Sequence, residues 1–494
     1  MIINTELRDS LDNNGNACKQ LVLSYVNDQQ QISFLTYNIP SSQMYTWRYA
    51  RPSDRPDQNI RSWDFKPVTK APTKHGYLPP QRIHEILLDL IKANPSVEII
   101  NKLNIPDTYF CDIEVDVDEN GFEKPDTARK MVNTISWVHN DKVIVFGRKY
   151  MSEEQIAWIQ KKIDEHCSNF KTRYNFTYIF HENEVDLLND FFYNHVRPAA
   201  CITGWNFFGF DWPYLMKRCE LLGINIDYIS PSRSWTTYHS SMRAEKTVVK
   251  IPYHKMLYDY MEIYIKWDRA VAVKESNKLD WVSETVVGAK KVVHQLGFKD
   301  EWEQRPAEYI FYNAVDSILI REIDQKIKTS SAFFGLANLM HVDALTAFSP
   351  VRSLEIVQGE YQYKEGKVFP SGGKKNEISS GYEGAFVYDP IPGIYKNIIA
   401  LDFASLYPTT MRQFNISPDT FICKDKNHVR KDNEIKCTSG AVYRNDYEGF
   451  LPKILTDFYN QRKAYKKEMM IAIDEKYKLE EIYERRFGKQ FDGE

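Results

Sequence analysis

The sequence predicts a multidomain α/β protein, and three observations carry that reading. Its 494 residues suffice for about three domains. From about Asp107 to residue 330, β-rich runs alternate with helical periodicity, the pattern of an α/β layer structure. A Gly- and Ser-rich stretch, "PSGGKKNEISSGYEG", then leads into a last part that finishes in a long charged helical pattern. Composition is ordinary for a globular chain, with 43% hydrophobic and 27% charged residues. The 31 Tyr and 27 Phe offer many stacking surfaces, most with a polar tip. A net charge of -3 gives no global basic field, which still leaves room for a local basic groove. The seven Cys include no C-x-x-C pair, so reduced thiols are expected rather than a disulfide framework or a zinc site. No apolar run approaches the roughly 18 residues of a membrane span. The N-terminus "MIINTELRDSLDNN" lacks a signal pattern. The expectation is a soluble, cytoplasmic protein with no membrane partner.

The elements follow in order. Residues 20 to 50 alternate apolar and polar, as in "QISFLTYNI", and predict strands. "ARPSDRPDQ" and "KPVTKAPTKHGYLPP" are Pro-rich loops, and "RIHEILLDLIKAN" has helical spacing. "TISWVHNDKVIVFG" predicts a hairpin turning at Asn140-Asp141, without the favoured Gly. "SEEQIAWIQKKIDEHC" predicts a helix opened by a capping box at Ser152, with Glu154 and Gln155 close behind. In residues 233 to 259, β-branched and aromatic runs flank a polar centre at Ser240 to Lys246, which predicts an extended hairpin. "NIIALDFASLYP" predicts an apolar strand that ends in an acid, and the segment from "LPKILTDFYN" onward predicts a long helix.

The stretch "YFCDIEVDVDEN" sets Asp112, Glu114, Asp116 and Asp118 at alternate positions, so a strand would line one face with acids. Such charges repel. One reading is a solvated strand face. A second is a calcium loop, with Asp116, Asp118, Asn120 and Gly121 at the early EF-hand positions; but Thr127 stands where a Glu is needed, and the preceding run is β-like. A third makes Asp112 and Glu114 metal ligands. Residues i and i+2 on a strand are about 7 Å apart along the backbone and point the same way. They can share two divalent ions about 4 Å apart, the arrangement that cleaves phosphodiesters. Further carboxylates stand at Asp211 in "GWNFFGFDWPYLMKR" and at Asp316 in "YIFYNAVDSILIREI", where Tyr312 lies four residues before it on one helix face. Taken singly, Asp211 reads as a helix N-cap and the Tyr312/Asp316 pair as a plain helix-face contact.

Together, D-x-E, N-x3-F-D and Y-x3-D in this order resemble the three exonuclease motifs of family B DNA polymerases. Asp112 and Glu114 match the first, Asn206, Phe210 and Asp211 the second, and Tyr312 and Asp316 the third. The resemblance implies a ribonuclease-H-like exonuclease domain in which Asp112, Glu114, Asp211 and Asp316 hold two Mg2+ or Mn2+ ions. It implies that Tyr312 positions the attacking water and that Asn206 and Phe210 meet the DNA. Asp116 and Asp118 fall outside the motif and read as a solvated continuation of the strand.

Farther on, "YEGAFV" at 382 to 387 resembles the family's element between exonuclease and polymerase regions. "LDFASLYPTTMRQFNISPDTF" resembles its first polymerase motif, with Thr409 where Ser is usual. By resemblance, Asp402 and the Phe403 carbonyl would ligate a second metal pair. Ser405, Leu406 and Tyr407 would bind the incoming nucleotide, with Tyr407 under the sugar. "NQRKAYKKEMM" is similar to the basic fingers helix, and its Arg462 and Lys466, four apart, suit a triphosphate. The family's later N-S-x-Y-G and D-T-D motifs do not occur in this sequence. "RQFNISPDT" and "LYDYMEIYIKW" resemble T-even-type and other large tailed-phage members, some of which are split.

The resemblance thus implies the N-terminal part of a replicative polymerase with a proofreading 3′-5′ exonuclease, in the host cytoplasm if the chain is viral. An N-terminal domain at 1–106 and again at 330–372 would hold an inserted exonuclease at 107–329. Partial palm at 373–450 and partial fingers at 451–494 would follow. Expected partners are primer-template DNA, single-stranded 3′ ends, deoxynucleoside triphosphates, a C-terminal half if the polymerase is split and, through that half, a sliding clamp. The alternatives are a free-standing 3′-5′ exonuclease or an inactive nucleic-acid-binding accessory protein.

Overall fold

The computed structural model describes residues 2–11, 15–73, 78–93, 104–117, 121, 123–239, 248–267, 275–292, 296–370 and 388–488. In it the alternating N-terminal runs pair as the pattern predicts. Strands β1 (Ile2–Leu11), β2 (Ala17–Val26) and β3 (Ile32–Ile39) form an antiparallel sheet in that order. Next come β4 (Tyr45–Tyr49), β5 (Arg61–Ser62), β6 (Val68–Pro72) and the helix α1 (Pro80–Ala93). The chain divides into two compact units, one of residues 1–43 and 89–354, the other of 44–88 and 355–494.

The first unit is built on β7 (Thr108–Val115), β8 (Val132–His139), β9 (Lys142–Gly147), β10 (Asn175–Phe180), β11 (Cys201–Gly204) and, after the hairpin β12 (Trp235–His239) and β13 (Val248–Pro252), β14 (Met256–Asp259). Its sheet runs β10-β9-β8-β7-β11-β14. β7, β8 and β9 are antiparallel neighbours, and the β8–β9 turn falls at Asn140, whose positive φ of 54° Asn tolerates. β10, β11 and β14 add as parallel strands. Two of these additions are reached through helices α2 (Glu153–His166) and α3 (Glu184–Asp190), as parallel crossovers require. The capping box opens α2: Ser152 Oγ accepts from Gln155 N, and the Gln155 side chain accepts from Ser152 N.

Period-two alternation sorts β7 between two environments. Cys111, Ile113 and Val115 pack with Ile135 and Trp137 of β8 into the main core. That core is closed by residues 187–196 and by α4 (Asp211–Leu221), through Trp212 and Leu215. Asp112 and Glu114 point the other way, beside Ser136 and Thr134 of β8. After α5 (Tyr260–Trp267), α6 (Leu279–Val287) and α7 (Phe298–Gln304), the helix α8 (Pro306–Ile327) covers that second face. Packed on three strands, it is apolar nearly all round and buried from Tyr309 to Ile323. Ser317 meets Ser136 at 2.6 Å, which satisfies both hydroxyls inside the interface.

The second unit pairs β4 with β6 and joins β15 (Lys367–Val368) to β5. It also holds a sheet ordered β16 (Phe421–Lys424), β18 (Ala441–Arg444), β17 (Glu434–Lys436), and the helices α9 (Leu406–Gln413) and α10 (Phe450–Phe487). The long terminal helix is as predicted. The strand expected at "NIIALDF" is not formed: these residues pair with no strand among the described residues, and Ile398 and Leu401 are 75% and 92% exposed. β-propensity is a preference for a half-buried ladder and cannot make a strand without one. Of the predicted hairpin, β12 and β13 are paired, while its centre at 240–247 lies outside the described residues. The Gly/Ser stretch and "YEGAFV" at 371–387 lie outside them too. No described helix is long and apolar enough to cross a membrane.

Candidate metal centre

Asp112 and Glu114 come from one face of β7, and Asp316 from the face of α8 that lies against it. These three carboxylates each offer an oxygen within 4.8 Å of the other two. Two full charges at that spacing repel by roughly 3–4 kcal/mol at an effective dielectric of about 20. Glu114 and Asp316 are buried, and Asp112 is half-buried. Burial first, then the charge of Asp316, pushes Asp112 up to about 7; burial and Asp112 raise Glu114 well above the usual carboxylate range. Asn313, three residues before Asp316 and so on the same side of α8, donates to Asp112 Oδ2 at 2.8 Å.

Asp211 is the first residue of α4 and is 3% exposed. Its Oδ1 accepts from the backbone N–H of Ile113 at 3.0 Å, which ties it to β7 between Asp112 and Glu114. The N-cap reading is therefore corrected: Phe210 occupies that position. Burial and the Asp112 charge raise Asp211 well above its ordinary range. The strand itself stops at Val115. Asp116 beyond it faces Arg148 at 3.4 Å, and Asp118 lies outside the described residues. With a strand rather than a helix leading in, and Thr127 Oγ1 bonded to Lys124 O at 3.0 Å, the calcium-loop reading falls.

Lys291, just after α6, answers part of this negative charge. Its ammonium pairs with Asp316, and although burial opposes it, Asp316, Asp112 and Glu114 raise its pKa. Among the described residues Lys291 brings one positive charge to three converging carboxylates, which leaves the cluster open to a further cation. Hard carboxylate oxygens converging in this way suit Mg2+ or Mn2+.

An open cleft of about 520 Å³ reaches this cluster, lined by Asp112, Asp316, Lys291, Trp205, Asn206 and Met261 among others. Asn206 holds a positive φ of 60°, and its carbonyl takes the N–H groups of Gly209 and Phe210, the turn that delivers Asp211 to α4. Phe210 packs on Tyr214 at the edge of the core, 5.3 Å between ring centres, and does not line the cleft. Tyr312 is bonded to Glu301 of α7; burial and that carboxylate push its hydroxyl up to about 12. Tyr309 is the residue whose hydroxyl reaches β7, 3.5 Å from Val115 O.

The other predicted residues sit in the second unit. Asp402 and Phe403 are exposed on the unpaired segment before α9. Ser405, φ 53°, caps α9, and Leu406 and Tyr407 open it with their side chains exposed. α9 is fastened to α10 through Arg412, which donates to Thr456 at 3.0 Å and lies over Tyr459. Arg462 and Lys466 are exposed on α10. Among the described residues no group of carboxylates gathers at Asp402.

Residues 87–266 match the family "DNA polymerase family B, exonuclease domain", and residues 357–486 match "DNA polymerase family B". The chain is similar to the DNA-directed DNA polymerase of Escherichia phage RB69, 27% identical over 73% of this chain and 42% of that one. It is 30% identical to the DNA-directed DNA polymerase of Enterobacteria phage T4 over 59% of this chain and 34% of that one. With the DNA polymerase of Archaeoglobus fulgidus it shares 28% identity over 57% of this chain and 34% of that one. The matches thus span well under half of these relatives.

Proposed function

We propose, for a chain that belongs to DNA polymerase family B, that Asp112, Glu114 and Asp316, with Asp211 beside them, form the metal site of a 3′-5′ exonuclease. The observation that carries this is the convergence of three carboxylates, two buried and one half-buried, within 4.8 Å at the end of an open cleft. Mg2+ or Mn2+ bound there supplies an activated water and neutralises charge on the scissile phosphate. The chain's own part is placement. β7 fixes two carboxylates by its alternation, Asn313 orients Asp112, and the Ile113 amide orients Asp211. Lys291 holds Asp316 and favours an anionic backbone in the cleft. Asn206 on the cleft wall and Phe210 in the turn that follows it are proposed to contact the DNA end. Tyr312 positions water once its hydroxyl leaves Glu301.

The second unit carries part of a polymerase site. Asp402 and the Phe403 carbonyl serve as metal ligands there; Ser405, Leu406, Tyr407, Arg462 and Lys466 bind the deoxynucleoside triphosphate. Synthesis on primer-template DNA is proposed to need a C-terminal half, which would also bring any sliding-clamp contact. The domain layout proposed is 1–106 with 330–372, an exonuclease at 107–329, and partial palm and fingers at 373–450 and 451–494. The pairing of β15 with β5 supports a link between 1–106 and 330–372. The β12–β13 hairpin is proposed to help move the primer end between the sites.

The test is hydrolysis of single-stranded DNA labelled at either end. The proposal expects loss from the 3′ end with Mg2+ or Mn2+ and none with EDTA; EDTA-resistant cleavage, or loss from the 5′ end, contradicts it.

A further inference from the structure

A second polar constellation lies in the β16-β18-β17 sheet, and none of its residues is assigned above. Cys423 of β16 and Lys436 of β17 both pair with Val442, one on each side of β18. The loop between these strands folds back across their ends. Lys436 Nζ donates to the carbonyls of Lys426 at 2.6 Å and His428 at 2.8 Å, which pins the loop. His428 is thereby held between two side chains. Its Nε2 lies 2.7 Å from Glu434 Oε2 and its Nδ1 3.7 Å from Cys423 Sγ.

The order of these groups has chemical content. Glu434 is buried and also accepts from Lys431 N at 2.9 Å. His428 first, then that amide, holds it below the usual carboxylate range, so it is an acceptor. In the tautomer that donates Nε2–H to it, Nδ1 carries the lone pair that faces the sulfur. A thiol, a base that can take its proton and a carboxylate that orients the base make up an activated nucleophile. Cys423 and His428 are both half-buried, so a small reagent can reach the sulfur. The carboxylate behind the imidazole disfavours an anionic one. Charged groups around His428 besides Glu434 are Lys431, Lys436 and Asp425, whose carbonyl accepts from His428 N at 3.3 Å. The other half-buried thiol of this sheet, Cys437, is raised by burial alone.

We propose that Cys423 is a nucleophilic thiol whose substrate class is the hydroperoxides, activated by His428 and Glu434. The sulfur attacks one peroxide oxygen, the O–O bond breaks, and the sulfur is oxidised by two electrons to the sulfenic acid. The thiol proton passes to Nδ1 of His428 and leaves with the departing oxygen, so hydrogen peroxide yields Cys423–SOH and one water. The site would make this part of the chain responsive to oxidants.

The test exposes the whole chain to hydrogen peroxide at pH 7, traps sulfenic acid with a dimedone-type probe, and follows each cysteine by peptide mass spectrometry. Cys18 and Cys437, both half-buried, serve as internal references. Cys423 should be labelled about tenfold faster than either. His428→Gln should bring it to the reference rate, and Glu434→Gln should slow it at least about threefold, because the oriented base is lost. Circular dichroism shows whether each variant folds; the ratio within the unsubstituted chain stands even where one does not. Labelling of Cys423 no faster than Cys18 and Cys437, or an unchanged rate in folded His428→Gln, overturns the proposal.

Discussion

Asp112 is the residue at which the competing forces meet. It needs a counter-charge, and Lys291 reaches Asp316 rather than Asp112 itself. Its folded-state pKa is raised to about 7, by burial first and Asp316 second, whereas an unfolded Asp ionises near about 4. Between those values the folded chain binds more protons than the unfolded one, so metal-free stability falls as pH rises across that window. Asp112→Asn should flatten that slope in metal-free thermal melts; an unchanged slope would remove Asp112 as its source. Divalent ions should reverse the loss. At a hundredfold excess over the dissociation constant, Mg2+ or Mn2+ should stabilise the chain by about 3 kcal/mol. Asp112→Asn and Asp316→Asn should cancel most of that gain. Asp112→Asn should leave the metal-free melting temperature the same or higher, since it removes a repelled charge, whereas Asp316→Asn should lower it, since Lys291 loses its partner. An equal metal-induced shift in both variants would place the ion elsewhere. At this scale the sequence was legible where spacing carried the information, as for Asp112 with Glu114. Lys291 was not legible, because it follows a short helix in an irregular segment and meets Asp316 only through the fold. Tyr312 stood at the expected spacing, yet its hydroxyl is engaged by Glu301, which spacing does not reveal.

At the scale of elements, β7 must be held within a fraction of an ångström for its acids to converge. Gly204 of β11 lets the neighbouring strand approach: a Cβ there would lie 2.4 Å from the Cys111 carbonyl oxygen, next to Asp112. Gly204→Ala should therefore cost about 1–3 kcal/mol and lower metal affinity as well. A variant with unaltered stability and metal affinity would show that β11 does not set the position of β7. The N-terminal sheet has its own fastening. His254, fully buried, lies between Ser24 at 3.0 Å and Glu6 at 2.8 Å, and Glu6 also accepts from Ser234 at 2.7 Å. Burial, only partly offset by Glu6, lowers the pKa of His254. Burial would raise Glu6, but Ser234 and His254 outweigh it and the net direction is down. For both groups the unfolded chain takes up protons first on acidification. Their contribution is present near neutral pH and lost progressively as pH falls below about 6.5 for the His and about 4.5 for the Glu. His254→Gln should cost about 1–3 kcal/mol at pH 7 and less at pH 5. Equal losses at the two pH values would separate His254 from this pH dependence. Elements with strong periodicity, such as α2 with its capping box and the Asn140 hairpin, were legible. The run at 397–403 reads as a strand but finds no ladder among the described residues, and a ladder is a tertiary fact.

On the scale of the whole molecule, the two candidate sites differ in completeness. The carboxylates of the exonuclease site all belong to one compact unit, whereas no carboxylate group gathers at Asp402 among the described residues. Degradation of DNA should consequently rest on the first unit's carboxylates and survive Asp402→Ala, whereas any primer extension should vanish in that variant. Loss of degradation in a folded Asp402→Ala variant would contradict that division. The division was foreseeable from the motifs, since D-x-E, N-x3-F-D and Y-x3-D all lie before residue 330. The sequence does not reveal which carboxylates lie closest: three of the four gather within 4.8 Å, with Asp211 held to the backbone between two of them. The most direct test of the central claim is the rate of 3′-terminal hydrolysis of single-stranded DNA, with Mn2+, by the Asp112→Ala, Glu114→Ala double variant against the unsubstituted chain. A metal-held mechanism at β7 predicts a fall of at least about a thousandfold, given the several kcal/mol that a metal ion contributes at the transition state, with DNA binding largely kept. A folded double variant that hydrolyses at the full rate would contradict it.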